Sequence, residues 1–125
     1  VAPDMVDFGP SATVSEKFKD RKFYEHNANV TLMRTKVEEN RKLGEEIGSK
    51  AAAATGPTCI MIPLKGVSAI DQTGKAFDDP AARQALYDGI RSTHGNVELI
   101  ELDSHINAPA FAKAAARRLL DSLGC

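Results

Sequence analysis

Cys59-Ile60-Met61-Ile62-Pro63 is the stretch on which the reading of the fold turns. Four apolar residues run without interruption and stop at a proline. A strand with one wet face alternates apolar and polar side chains, whereas an unbroken run suits a strand buried on both faces, as in a parallel sheet. Upstream, Asn29 to Arg34 reads as a short strand with Val30, Leu32 and Met33 apolar. Thr35 then opens a helix, because its spacing to Glu38 is that of a capping box. Val37, Leu43, Ile47 and Ala51 recur on one face of this helix, and Gly56-Pro57 ends it. Downstream, a loop from Leu64 to Asp78 carries Gly66 and Gly74. Asp79-Pro80 supplies an N-cap followed by proline at the first helical position. Ala82, Ala85, Leu86, Gly89 and Ile90 line the inner face of that helix, and His94-Gly95 closes it. Val97 to Leu102 is a third strand. After a loop from Asp103 to Ala108, Pro109 starts a last helix with Phe111, Ala115, Leu119 and Leu123 on its apolar face, ended by Gly124.

Strand then helix, three times over, predicts right-handed crossovers and one parallel sheet. The expected fold is α/β: a three-layer, Rossmann-like arrangement with a parallel sheet of at least three strands and helices on both faces. Residues 1–22 show no period. Pro3, Gly9 and Pro10 punctuate them, and they read as a connecting segment with room for one short helical turn.

Composition narrows the function. The 125 residues fit one domain, and 16 Lys+Arg against 17 Asp+Glu leave a net charge of −1. That balance argues against bulk nucleic-acid binding and gives no polybasic signature for a membrane. No apolar run approaches the ~18 residues of a bilayer span. The hydrophobic complement includes 18 Ala and no Trp, so the core is light for the length. Cys59 and Cys125 form no CxxC pair and no zinc spacing with the three histidines, so no metal site is read. A reducing, cytoplasmic setting fits them best.

In open parallel sheets ligands bind beyond the carboxyl ends of the strands. Three segments qualify here. Arg34 and Thr35 stand at a helix N-terminus, where free N–H groups favour an anion. Lys65-Gly66-Val67-Ser68 offers a cation, a permissive backbone and a hydroxyl, although no Walker motif occurs. Asp103 and His105, with Ser104 and Asn107 beside them, could orient an imidazole for acid–base work. Blander readings fit the same residues: a cap at Thr35, a surface charge at Arg34, a plain turn at 65–68, and a helix cap at Asp103 or Asn107.

Four segments carry a resemblance. They are Asp4-Met5-Val6-Asp7-Phe8-Gly9-Pro10; Phe23-Tyr24-Glu25-His26-Asn27 leading to Val30-Thr31-Leu32-Met33-Arg34-Thr35; Pro63-Leu64-Lys65-Gly66-Val67-Ser68-Ala69; and Glu101-Leu102-Asp103-Ser104-His105-Ile106-Asn107 with Pro109-Ala110-Phe111. In this order they resemble the C-terminal part of a poorly characterised bacterial and fungal family. That family shares the ATP-binding region of the tomato mosaic virus resistance protein. Asp7 stands where the family has Asn, and Ala28 where it has Pro. The resemblance implies a longer protein of two Rossmann-like subdomains, with this chain at the end of the second and Val1-Ala2-Pro3 as the tail of a strand. It implies ATP, with Mg²⁺ accompanying it, and pocket residues among Arg34, Thr35, Lys65, Gly66, Ser68, His105 and Asn107.

Three functions follow as expectations. The first is a nucleotide-binding subdomain that holds an anion at strand ends. The second is an enzyme on a small anionic metabolite, with His105 and Asp103 as the acid–base pair. The third is an interaction module without a small-molecule ligand. The expected partners are a small anionic ligand or nucleotide and the preceding part of the same protein. An exposed sheet edge would also suit a homo-oligomer.

Overall fold

A computed structural model describes residues 2–124; the Val1 end of the expected strand tail and the tail thiol Cys125 lie outside them. Its strands are β1 (Met5–Phe8), β2 (Phe23–Asn27), β3 (Val30–Arg34), β4 (Cys59–Pro63) and β5 (Glu98–Leu102). Its helices are α1 (Val37–Ala52), α2 (Pro80–Thr93) and α3 (Pro109–Leu123).

The strands do not form one parallel sheet, and the expected Rossmann-like arrangement is corrected here. β1, β3 and β2 make an antiparallel sheet in that order, and β4 pairs with β5 alone, in parallel. The strand at 29–34 therefore does not neighbour β4. Its Thr31 to Arg34 are all buried, which is the signature of a central strand, but the neighbours that bury it are antiparallel. One is β1, which lies inside the segment read as a connection. The other is β2, joined to β3 through Ala28-Asn29, with the Asn29 N–H held by Asn27 Oδ1 at 2.8 Å. Most of β2 is exposed, so it shows no period-2 pattern, and the register shifts between Glu25 and Asn27.

The pair β4–β5 matches the reading of residues 59–62 and 97–102 as parallel strands. α1 and α2 cover one of its faces, with Ile62, Val67, Leu86, Tyr87 and Ile90 as the core. α1 and α2 meet through glycines. A Cβ on Gly44 would lie 2.1 Å from the Leu86 carbonyl oxygen, and one on Gly89 would lie 2.5 Å from that of Arg41. The buried line of α1 is accordingly Asn40, Gly44 and Gly48, with Leu43 left exposed, so the apolar stripe expected through Leu43 is not the packed one. α2 buries the expected Ala82, Ala85, Leu86, Gly89 and Ile90, and Arg83 and Tyr87 as well. Asp79 caps it as read, its side chain accepting the Ala82 N–H at 2.9 Å.

α3 approaches the other face, where Arg118 Nε donates to Glu98 Oε2 at 2.7 Å. Only Phe111 of α3 is buried, whereas Leu119 and Leu123 are 61% and 66% exposed. No helix among the described residues is long and apolar enough to cross a membrane.

Candidate functional site

Two loops lock together beyond the carboxyl ends of β4 and β5. The Lys65 N–H donates to the Ser104 carbonyl at 3.1 Å, and the Ile106 N–H to that of Gly66 at 3.0 Å. Gly66 has φ +134°, and a Cβ there would lie 1.8 Å from the Asp71 carbonyl oxygen and 2.8 Å from His105 Cδ2. Only glycine fits this crossing. His105 Nε2 lies 2.7 Å from the Ser68 carbonyl, which can only accept, so Nε2 carries the hydrogen. Nδ1 accepts the Asn107 N–H at 3.1 Å. Both ring nitrogens are thus engaged by backbone. Asp103 does not face His105; its Oδ2 is 3.0 Å from Lys65 Nζ, and both side chains are exposed.

Arg34 and Thr35 belong elsewhere, in a buried polar hub. Arg34 Nε donates to the Phe77 carbonyl at 3.1 Å, Nη1 to the Asp4 carbonyl at 3.2 Å, and Nη2 to Asp71 Oδ1 at 3.1 Å. The same Oδ1 accepts from Arg83 Nη1 at 2.7 Å, while Asp71 Oδ2 takes the Val67 N–H at 3.1 Å. Thr35 does not open α1. Lys36 is the N-cap residue, and its N–H is taken by Glu39 Oε2 at 2.7 Å. Thr35 Oγ1 instead donates to the Pro3 carbonyl at 2.7 Å and accepts from Asn40 Nδ2 at 2.8 Å. Ser68 also turns inward, its Oγ donating to Asp4 Oδ2 at 2.6 Å.

Burial shapes the charges of the hub. It pushes the Asp4 carboxyl above the usual range, against the lowering effect of the Ser68 hydroxyl. It also raises the Tyr87 hydroxyl, which donates to the Pro63 carbonyl at 2.6 Å and fixes the end of β4. Burial opposes the Arg83 charge most strongly, but the bonds to Asp71 and Asp78 and the Asp71 charge together more than offset this and hold Arg83 protonated.

The two loops therefore hold Lys65, Gly66, Asp103, His105 and Asn107 together, while Arg34, Thr35 and Ser68 face the hub. Asn107 is exposed two residues before α3, and Lys65 is exposed on the loop bonded to Ser104 and Asp103. Neither Asp103 nor Asn107 caps that helix. Its N-cap is Ala108, which has no capping side chain; Pro109 has no N–H and the Phe111 N–H donates to the Ala108 carbonyl at 3.0 Å, so of the first turn only the Ala110 N–H is left over. Asp4, Asn40, Asp71 and Arg83 escaped the sequence reading. The signal for Arg83 was its place inside the Ala82–Leu86 buried stripe, and for Asn40 its four-residue step to Gly44 and Gly48. Among the described residues no group of three or more His, Cys, Asp or Glu could hold a metal ion.

The model of the C-terminal domain of an uncharacterised protein family, UPF0261, matches residues 1–123. The chain belongs to the UPF0261 family. A UPF0261 protein of Clostridium tetani is 45% identical over 98% of the chain, which spans 32% of that relative. A UPF0261 protein of Mesorhizobium japonicum is 48% identical over 92% of the chain, and 30% of the relative is covered. The tomato protein ToMV resistance protein Tm-1(GCR237) is 42% identical over 96% of the chain, which spans 16% of it. The chain thus spans about a third of the bacterial UPF0261 proteins it matches.

Proposed function

We propose that this UPF0261 domain contributes one wall of a site for the phosphates of a nucleotide, ATP in the first instance, at the carboxyl ends of β4 and β5. The observation that carries the reading is the exposed Lys65, on the loop after β4 that is hydrogen-bonded to the segment leading into α3. A carboxylate takes an N–H at the start of α1 (Glu39 from the N-cap Lys36) and of α2 (Asp79 from Ala82), but no side chain does so at α3. An uncapped helix start concentrates positive potential. Lys65 stands on the loop locked to the segment that leads into it, restrained only by the exposed Asp103. Lys65 and Asn107 are then the ligand-facing side chains. Gly66 and His105 hold the two loops in register without touching the ligand. Mg²⁺ would arrive on the phosphates, since the described residues offer it no ligand cluster. Both ring nitrogens of His105 are engaged, so an acid–base role with Asp103 draws no support from the geometry.

Calorimetric titration of the full-length protein with ATP, AMP and inorganic phosphate tests this. ATP binds, and Lys65→Ala weakens it about tenfold, equivalent to roughly 1.4 kcal/mol, with the melting temperature unchanged. Unaltered affinity in Lys65→Ala, or no heat with any of the three, overturns the reading.

A further inference from the structure

The antiparallel sheet buries a polar atom that nothing within it satisfies. Thr31 sits in the middle strand β3, with β1 on one side and β2 on the other. It is 3% exposed, and its hydroxyl has no hydrogen-bond partner among the described residues. The ladder explains why: backbone N–H and C=O groups on both sides are spent on strand pairing, so none turns to the side chain. Such an orphan costs stability unless a group from outside the sheet meets it.

Thr31 lines a cleft of about 340 Å³ between β2, β3 and the short turn Ser11–Thr13 that follows β1. Glu25 stands directly across the ladder from Thr31, so the two side chains share a face. Phe23, two residues before Glu25, lies on the same face. Ser11 and Val14 close the cleft from the turn. Its chemistry is one-sided. The Glu25 carboxylate only accepts, the Thr31 and Ser11 hydroxyls can accept, and among the described residues no Lys, Arg or His lines the cleft. Phe23 and Val14 make the rest of the lining apolar. One water, with ~30 Å³ of liquid volume, fills roughly a tenth of this space.

We propose that the cleft binds a small aliphatic primary amine in its ammonium form. An ammonium carries three N–H donors and no acceptor, which matches the three oxygens of Glu25, Thr31 and Ser11. The alkyl chain then lies on Phe23 and Val14. An anion is refused by Glu25. The cleft shares no residue with the loops after β4 and β5, so the proposal is independent of any nucleotide there.

Titration of the full-length protein, labelled with carbon-13 at its threonine methyl groups, with n-butylammonium chloride tests this. Thr31→Val keeps the outline of the side chain, removes the hydroxyl and assigns the Thr31 signal by its absence. In the parent that signal shifts to saturation with n-butylammonium, whereas n-butanol at the same concentrations leaves it in place. Glu25→Gln weakens binding at least about tenfold. The amine raises the melting temperature of the parent but not that of Thr31→Val, which without amine melts no lower than the parent. No saturable shift, an equal response to n-butanol (an adventitious additive only) or unchanged affinity in Glu25→Gln overturns the proposal. A lowered melting temperature of Thr31→Val without amine also overturns it, because the hydroxyl then already has a partner.

Discussion

The Ser68 hydroxyl donates to Asp4 Oδ2 at 2.6 Å and ties the start of the antiparallel sheet to the loop that follows β4. The other carboxylate oxygen of Asp4 is buried without a partner. Its carboxyl is raised by burial, so the folded state holds a proton that the unfolded chain releases at lower pH. Between those two values the unfolded chain binds fewer protons, and stability falls as pH rises. Asp4→Asn stays uncharged and can still accept from Ser68. Relative to the parent it gains stability at about pH 8 but not at about pH 4, as read from urea midpoints. An equal difference at the two pH values would refute this.

Asp71 serves two guanidinium groups through one oxygen, and all three side chains are largely buried. Asp71→Asn leaves the buried Arg34 without a counter-charge and Arg83 with Asp78 alone. Breaking such a pair from one side costs about 3–5 kcal/mol. Equilibrium denaturation measures the loss, and Asp78→Asn, which removes only the more exposed partner of Arg83, costs much less.

The meeting of α1 and α2 tolerates no added methyl group. Gly44→Ala forces a Cβ against the Leu86 carbonyl and destabilises by about 1–3 kcal/mol. Gly56→Ala meets nothing within 4 Å and is the matched control. Thermal melts of the two variants separate clearly if the packing is as described.

α3 is anchored at one end. Phe111→Ala removes its one buried side chain and costs about 3–5 kcal/mol, whereas Leu119→Ala and Leu123→Ala each change stability by less than about 0.5 kcal/mol. Comparable losses at all three positions would mean that the leucine face is covered in solution.

Local patterns were read well where burial and period agree. The runs read as strands at 59–62 and 97–102 are the parallel strands Cys59–Pro63 and Glu98–Leu102, and Asp79-Pro80 starts a helix whose C-cap is His94. Pairing was not legible. Thr31 to Arg34 are buried by β1 and β2, and mostly exposed strands such as β2 leave no alternation to detect. The same limit applies to the site. Arg34 ends a strand, as an anion ligand could, but its guanidinium is spent on Asp71, the Thr35 hydroxyl and the Phe77 and Asp4 carbonyls, most of which only the folded chain brings near. Lys65, Asp103, His105 and Asn107 do share one place, because the loops after two adjacent parallel strands must meet.

The hub also sets an order of events in folding. Its members come from positions 4, 34, 71 and 83, so no short segment can assemble it, and each link closes a loop whose entropy is lost before the bond is gained. The β2–β3 hairpin is local and can form first. We predict that the hub closes after the rate-limiting barrier, as a latch. Substitutions at Asp71 or Arg83 accelerate unfolding and leave the refolding rate almost unchanged. The lifetime of the native chain therefore rests on a few buried charges more than on its alanine-rich core.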